Sequence, residues 1–102
     1  MNTGKYILDG HKPIPVNDAM IWARWFETAD KRVAKTLLPE GIKVSTIFWG
    51  LDHNHSGEGP PLIFETMVFG GKFDKEMERY SSWEEAEEGH KQMVSKVKAE
   101  VI

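Results

Sequence analysis

Three groups of residues in the sequence have side chains that could do chemistry. The first is Asp52-His53-Asn54-His55, followed by Ser56-Gly57-Glu58-Gly59. Two imidazoles and a carboxylate suit a divalent cation if the backbone is extended there, so that residues i and i+2 share a side. Gly57 and Gly59 offer backbone N–H groups that can cradle an anion. The second is Glu65, in the middle of the run Leu62–Gly70 and on one side with Ile63, Met67 and Phe69. A carboxylate among apolar neighbours needs a partner, because a buried unpaired charge is costly. Lys43 of the neighbouring strand, or a basic helix residue of a second subunit, is the candidate partner; otherwise Glu65 reads a ligand or acts as a base. The third is Arg24-Trp25, beside the apolar stripe of a helix, with Trp49 as a second indole. Indoles stack on planar ligands, and Arg or Lys takes phosphates.

Other chemistry is excluded or unsupported. The 102 residues include no cysteine, which removes disulfides, thiolate catalysis and Cys-ligated metals. Neither a P-loop nor a dinucleotide fingerprint is present, and no serine sits in a nucleophile elbow. No carboxylate pair has a spacing that demands acid–base catalysis. A binding role without catalysis is the expectation, with no cofactor. The 13 basic and 16 acidic residues give a net charge of -3. That balance argues against a broad duplex-binding groove and leaves room only for a local basic patch. No apolar run has the length of a membrane span, and MNTGKYILDG lacks a signal-peptide pattern, so a cytoplasmic location is expected.

The elements that must position these residues follow from periodicity and punctuation. Lys5–Leu8, the turn Asp9-Gly10 and Pro13–Val16 predict a small hairpin or a strand with an extended arm. Asn17 is the expected N-cap of a helix over Asp18–Thr36, with Ala19, Trp22, Ala23, Phe26, Ala29 and Val33 as its core stripe and Glu27–Lys31 as an i,i+4 pair. Ile42–Gly50 and Leu62–Gly70 are rich in β-branched and aromatic residues and predict strands; Glu76–Ser81 predicts a third. The Ser82-Trp83-Glu84-Glu85 capping box opens a last helix, whose inner stripe is Trp83, Ala86, His90, Met93, Val97 and Val101. His90 on that stripe reads as a hydrogen-bonded core histidine, and the mid-helix Gly89 permits a close approach. His11 carries no signal. The fold class is α+β: one domain with a mostly antiparallel sheet of three to five strands and two amphipathic helices on one face.

Period two places Ile42, Val44, Thr46 and Phe48 on one side of their strand, and Lys43, Ser45, Ile47, Trp49 and Leu51 on the other. Both sides are substantially apolar, and so are both sides of 62–69. An antiparallel sheet with one wet face alternates apolar and polar residues. The second face is therefore expected to be covered by the N-terminal arm, a ligand or a second subunit, with a homo-oligomer favoured.

The strings LDGHKPIPV, WARWFETADKRVAKT, VSTIFWGLDH, GPPLIFETMVFGG and RYSSWEEAEEGH resemble a family of small phage and prophage proteins. The likeness covers nearly the whole chain. It brings no assigned activity or catalytic residue, and relatives vary after the His of GLDH, which weakens His55 as part of a shared site. The resemblance implies an accessory protein acting in the host cytoplasm, with counter-defence as one role. The expected function is binding of a host-derived small molecule such as a signalling nucleotide. Arg24, Trp25, Lys43, Trp49, Asp52, His53, Gly57, Gly59 and Glu65 form the expected ligand-binding set, with Glu65 accepting from base or ribose. The first alternative is an inhibitor of a host protein acting through Glu84–Glu88. A further one is a metal-dependent hydrolase using Asp52, His53, His55 and Glu65. A virion subunit is the last.

Overall fold

The computed structural model describes residues 4–100, so Val101 of the expected helix stripe lies outside the described residues. The fold is α+β, with antiparallel sheets of two and four strands and two helices. Strands β1 (Tyr6–Asp9) and β2 (Lys12–Pro15) form the N-terminal hairpin. Helix α1 (Ala19–Thr28) follows. Strands β3 (Arg32–Leu38), β4 (Ile42–Phe48), β5 (Phe64–Phe69) and β6 (Met77–Tyr80) then form a meander in the order β3-β4-β5-β6. Helix α2 (Trp83–Ala99) lies across all four of its strands.

The first helix is half the expected length. It ends at Thr28, and Arg32–Leu38 forms an edge strand where a continuous helix to Thr36 was expected. The reason is local: Asp30 Oδ1 accepts from Arg32 N, and Lys31 Nζ donates to the carbonyls of Phe26 and Ala29, closing the helix end. The Glu27–Lys31 helical pair therefore does not form. Beyond it, Ala34–Leu38 pair with β4, and the β-branched Val33 at the bulge and Thr36 suit a strand better than a helix. Asp18, not Asn17, is the N-cap, its Oδ1 accepting from Met20 N and Ile21 N. The inward side of α1 is Trp22, Trp25 and Phe26, whereas Ala19 and Ala23 are exposed. The helix packs chiefly on the hairpin. It reaches the sheet where Trp25 meets Phe48 edge-on at 5.6 Å and the Trp22 indole donates to the Gly50 carbonyl.

Helix α2 follows the expected stripe. Ser82 Oγ accepts from Glu85 N, and Ala86, Gly89, His90, Met93 and Val97 are buried. Against them lie Ile42, Val44, Thr46 and Phe48 of β4, with Phe64, Thr66 and Val68 of β5. This core has two apolar clusters. One contains Leu38, Ile42, Val44, Val68, Met93 and Val97; the other contains Tyr6, Phe48, Ile63, Phe64 and Ala86. Between them runs a polar seam. His90 Nδ1 lies 2.7 Å from Thr46 Oγ1, and His90 Nε2 lies 2.8 Å from Thr36 Oγ1. Thr46 bonds to Thr66, and the Tyr80 phenol bonds to Thr66 in turn. Every ring nitrogen of His90 has a hydroxyl partner, so the neutral imidazole is satisfied. Ile63, expected on the second face, is drawn instead into the cluster with Tyr6 and Phe48.

Two measurements follow from this core. A Cβ at Gly89 would overlap the Tyr80 ring. Gly89→Ala is therefore expected to lose about 1–3 kcal/mol by overpacking, where a free helix would gain about 1 kcal/mol from the same change; chemical denaturation reads the sign. Burial also pushes the His90 pKa below its ordinary value. The unfolded chain then takes up the proton more readily, so this contribution is complete above the ordinary histidine pKa of about 6.5 and is lost as pH falls from there toward the folded pKa. Melting temperature should drop between about pH 7 and pH 5.5 in the wild type. The drop should be smaller in His90→Gln.

Candidate functional site

The register of the meander sorts every side chain on the sheet face opposite α2. Cα partners across an antiparallel pair share a face. One row across that face is Leu37–Lys43–Phe69. The next is Lys35–Ser45–Met67–Met77, and the third is Arg32–Ile47–Glu65–Arg79. Trp49, two residues beyond Ile47, follows at the sheet end. Rows two residues apart are separated by about 7 Å along the strands.

Most of this face is open. The hairpin joins the chain beyond β4 through the Lys5–Leu51 bridge and the Tyr6 N to Gly50 O bond, and its Tyr6 packs with Phe48 on the α2 side. Leu37, Phe69 and Met77 are 71%, 40% and 37% exposed. At its centre is a depression of about 150 Å³ lined by Ser45, Ile47, Trp49, Glu65, Met67 and Phe69. Its floor and ends are apolar and aromatic, and its polar groups are one hydroxyl and one carboxylate.

Glu65 is buried, and its partner differs from the expected one. Arg79 Nε donates to Glu65 Oε2 at 3.2 Å. The register explains this: Glu65 stands opposite Arg79 on β6 and Ile47 on β4, while Lys43 is four residues from Ile47, roughly 13 Å along the strand. Lys43 instead lies over the Phe69 ring, with its Nζ 4.6 Å from the centroid. Among the described residues no carboxylate pairs with Arg32, Lys35 or Lys43.

The loop between β4 and β5 is organised from within. Asp52 Oδ1 accepts from Asn54 N at 2.7 Å and from Leu62 N at 3.0 Å, pinning both ends of the loop. The Asn54 amide donates to the Glu58 and Pro60 carbonyls. Ser56 N bonds to Asn54 Oδ1, and Glu58 N bonds to Ser56 Oγ. The N–H groups of residues 54, 56 and 58 are thus already used by these successive side-chain turns. Gly57 and Gly59 have φ of 79° and 80°, a region that glycine enters without a Cβ penalty. His53 approaches Trp49 edge-on at 6.1 Å, so the loop root borders the depression. The loop tip, from His55 to Gly59, is exposed.

Of the nine expected ligand-binding residues, Lys43, Trp49 and Glu65 therefore share the open face, and His53 adjoins Trp49. Asp52, Gly57 and Gly59 shape the loop. Trp25 packs against the core on the α2 side, and Arg24 is exposed on α1, so these two do not join the open-face group. Among the described residues no three His, Asp or Glu side chains converge as metal ligands, so Asp52, His53, His55 and Glu65 are not brought together. The residues that sequence reasoning missed are Arg32, Lys35, Leu37 and Arg79. Arg32 and Lys35 were hidden by the overlong helix, Leu37 by the helix stop read just after it, and Arg79 by the weak alternation of β6. Asp30-Lys31 as a helix stop, followed by Val-Ala-Lys-Thr-Leu, was the available signal. His11 was also passed over: its ring stacks flat on Trp83, with centroids 3.7 Å apart.

No protein-family model matches the chain, and no match is found among curated proteins or solved structures. No helix among the described residues is long and apolar enough to cross a membrane.

Hydrogen bonds to a charged acceptor contribute about 1.5–3 kcal/mol each. In Asp52→Ala the Asn54 and Leu62 amides should exchange with solvent at least about tenfold faster, read by hydrogen–deuterium exchange. Unchanged protection at both would show that Asp52 does not hold the loop.

Proposed function

We propose that the protein is a non-enzymatic binding protein whose open sheet face takes a nucleotide-type ligand. The observation that carries this reading is the depression between Trp49 and Phe69, floored by Ile47 and Met67 and bordered by Glu65, Lys43 and Arg79. A base is planar, apolar on its faces and polar at its edge. Its faces suit Ile47, Met67 and the two aromatic rings. Its edge amine, or a ribose hydroxyl, suits the Glu65 carboxylate as acceptor. A phosphate suits Lys43 at the Phe69 end of the depression or Arg79 at the Glu65 side. With the likeness to phage proteins, this reading makes the protein an accessory factor that sequesters a host-derived signalling nucleotide.

The outward side of α2 favours a second reading. Glu84, Glu85, Glu87 and Glu88 are all exposed within its first two turns. Such an acidic ridge suits a basic host protein, and the inhibitor reading rests on it alone.

Calorimetric titration with purine and pyrimidine mononucleotides tests the first reading, with native mass spectrometry of the freshly purified protein alongside it. Saturable binding is expected, weakened at least about tenfold by Lys43→Ala and by Glu65→Gln, equivalent to about 1.4 kcal/mol or more. Glu87→Lys should leave it unchanged. If no nucleotide binds, free or in an oligonucleotide, the reading fails; a host protein whose capture is lost in Glu87→Lys would replace it.

A further inference from the structure

We infer that the open sheet face binds a single-stranded nucleic acid, one base seated in the central depression and its neighbours on the flanking rows. The inference rests on the nucleotide reading above and names the form of ligand.

Size is the first argument. Pockets that enclose a small molecule have volumes of roughly 300–1,000 Å³. The depression holds about 150 Å³, enough for a base but not for a whole nucleotide. Whatever places a base there leaves most of itself on the surrounding face.

That face continues the same chemistry outside the depression. Leu37 and Met77 are exposed apolar groups on either side of it, and the exposed Phe69 ring lies at its end. Arg32, Lys35, Lys43 and Arg79 are spread over three successive rows, with Glu65 as the one carboxylate on the rows. The chain as a whole carries a net charge of -3, yet these rows hold four basic side chains and one carboxylate. Cations that track a backbone, interleaved with surfaces on which bases lie, are how single strands are held. A duplex keeps its base faces stacked inside and offers only phosphates to such a surface.

A second copy of this chain fits less well. Face to face, the cations of the two copies would confront each other across an apolar layer, with only Glu65 to offset them. Edge to edge, β3 presents Lys35 near its middle and a bulge between Arg32 and Ala34, both of which blunt strand pairing. A polyanion with planar groups satisfies the charges and the apolar surface together.

The test is fluorescence anisotropy with labelled dT8 and rU8, a labelled eight-base-pair duplex, and thymidine and uridine monophosphates as competitors. The octamers should bind at least about tenfold more tightly than their monophosphates. The log–log salt slope should be about -2, from roughly three phosphates at about 0.7 each. Lys35→Glu and Phe69→Ala, both at exposed positions, should weaken octamer binding at least fivefold with unchanged melting temperature. Lys35→Glu should weaken octamer binding more than monophosphate binding, because Lys35 flanks the depression without lining it. The dT8 to rU8 ratio identifies which strand is preferred. Octamers no tighter than monophosphates would overturn this inference and leave the nucleotide reading standing. A duplex bound as tightly as dT8 would also overturn it, as attraction by charge alone. If neither octamers nor monophosphates bind, both readings fall.

Discussion

The architecture turns on His90. A purely apolar contact between one helix and a sheet tolerates sliding, because one Val or Met can replace another in a shallow groove. A buried imidazole with both nitrogens matched to hydroxyls does not, since a shift would strand polar atoms in a dry core. Thr36, Thr46 and Thr66 come from three adjacent strands, so a single helix side chain fixes α2 against the sheet in both directions. The apolar clusters on either side of the seam then have defined partners. The same constraint decides which strand faces are consumed by the core and which are left over.

What is left over is a sheet face that does not alternate in the ordinary way. A solvent face usually carries polar residues throughout. Here Leu37, Ile47, Trp49, Met67, Phe69 and Met77 share it with basic side chains. The acidic groups of α2 lie on the other side of the molecule. The same pleat that buries Val44 and Val68 turns these basic and apolar groups outward together.

Much of this was legible in the sequence. The β-branched and aromatic runs at 42–50 and 62–70, the capping box at Ser82 and the turn at Asp9-Gly10 each carry a mechanism of their own, and each corresponds to an element found there. Period two alone separates Lys43 and Trp49 from Val44 and Phe48. The failure at 29–36 has an equally physical origin. Ala29 and Val33 happen to fall at helical spacing from Phe26, and no Gly or Pro interrupts them. Local pattern could not reveal that β4 lacks a partner on one side and that these residues supply it. That error removed Arg32, Lys35 and Leu37 from view and made the second face look smaller and less basic than it is. The partner of Glu65 was illegible for a related reason: strand register depends on turn geometry, which spacing alone does not fix.

The clasp between the hairpin and the end of β4 bears on the order of events during synthesis. Strands β4, β5 and β6 each pair with the strand made just before them, whereas α2 reaches back as far as β3. The hairpin is translated before all of them, yet it joins the rest through Gly50 and Leu51, and His11 stacks on Trp83. Between its own emergence and that of its docking ground, the Tyr6 ring and the prolines of β2 have only α1 for company. The clasp on Gly50 and Leu51 can therefore close only once β4 is complete, and the His11–Trp83 stack only once α2 has begun to emerge.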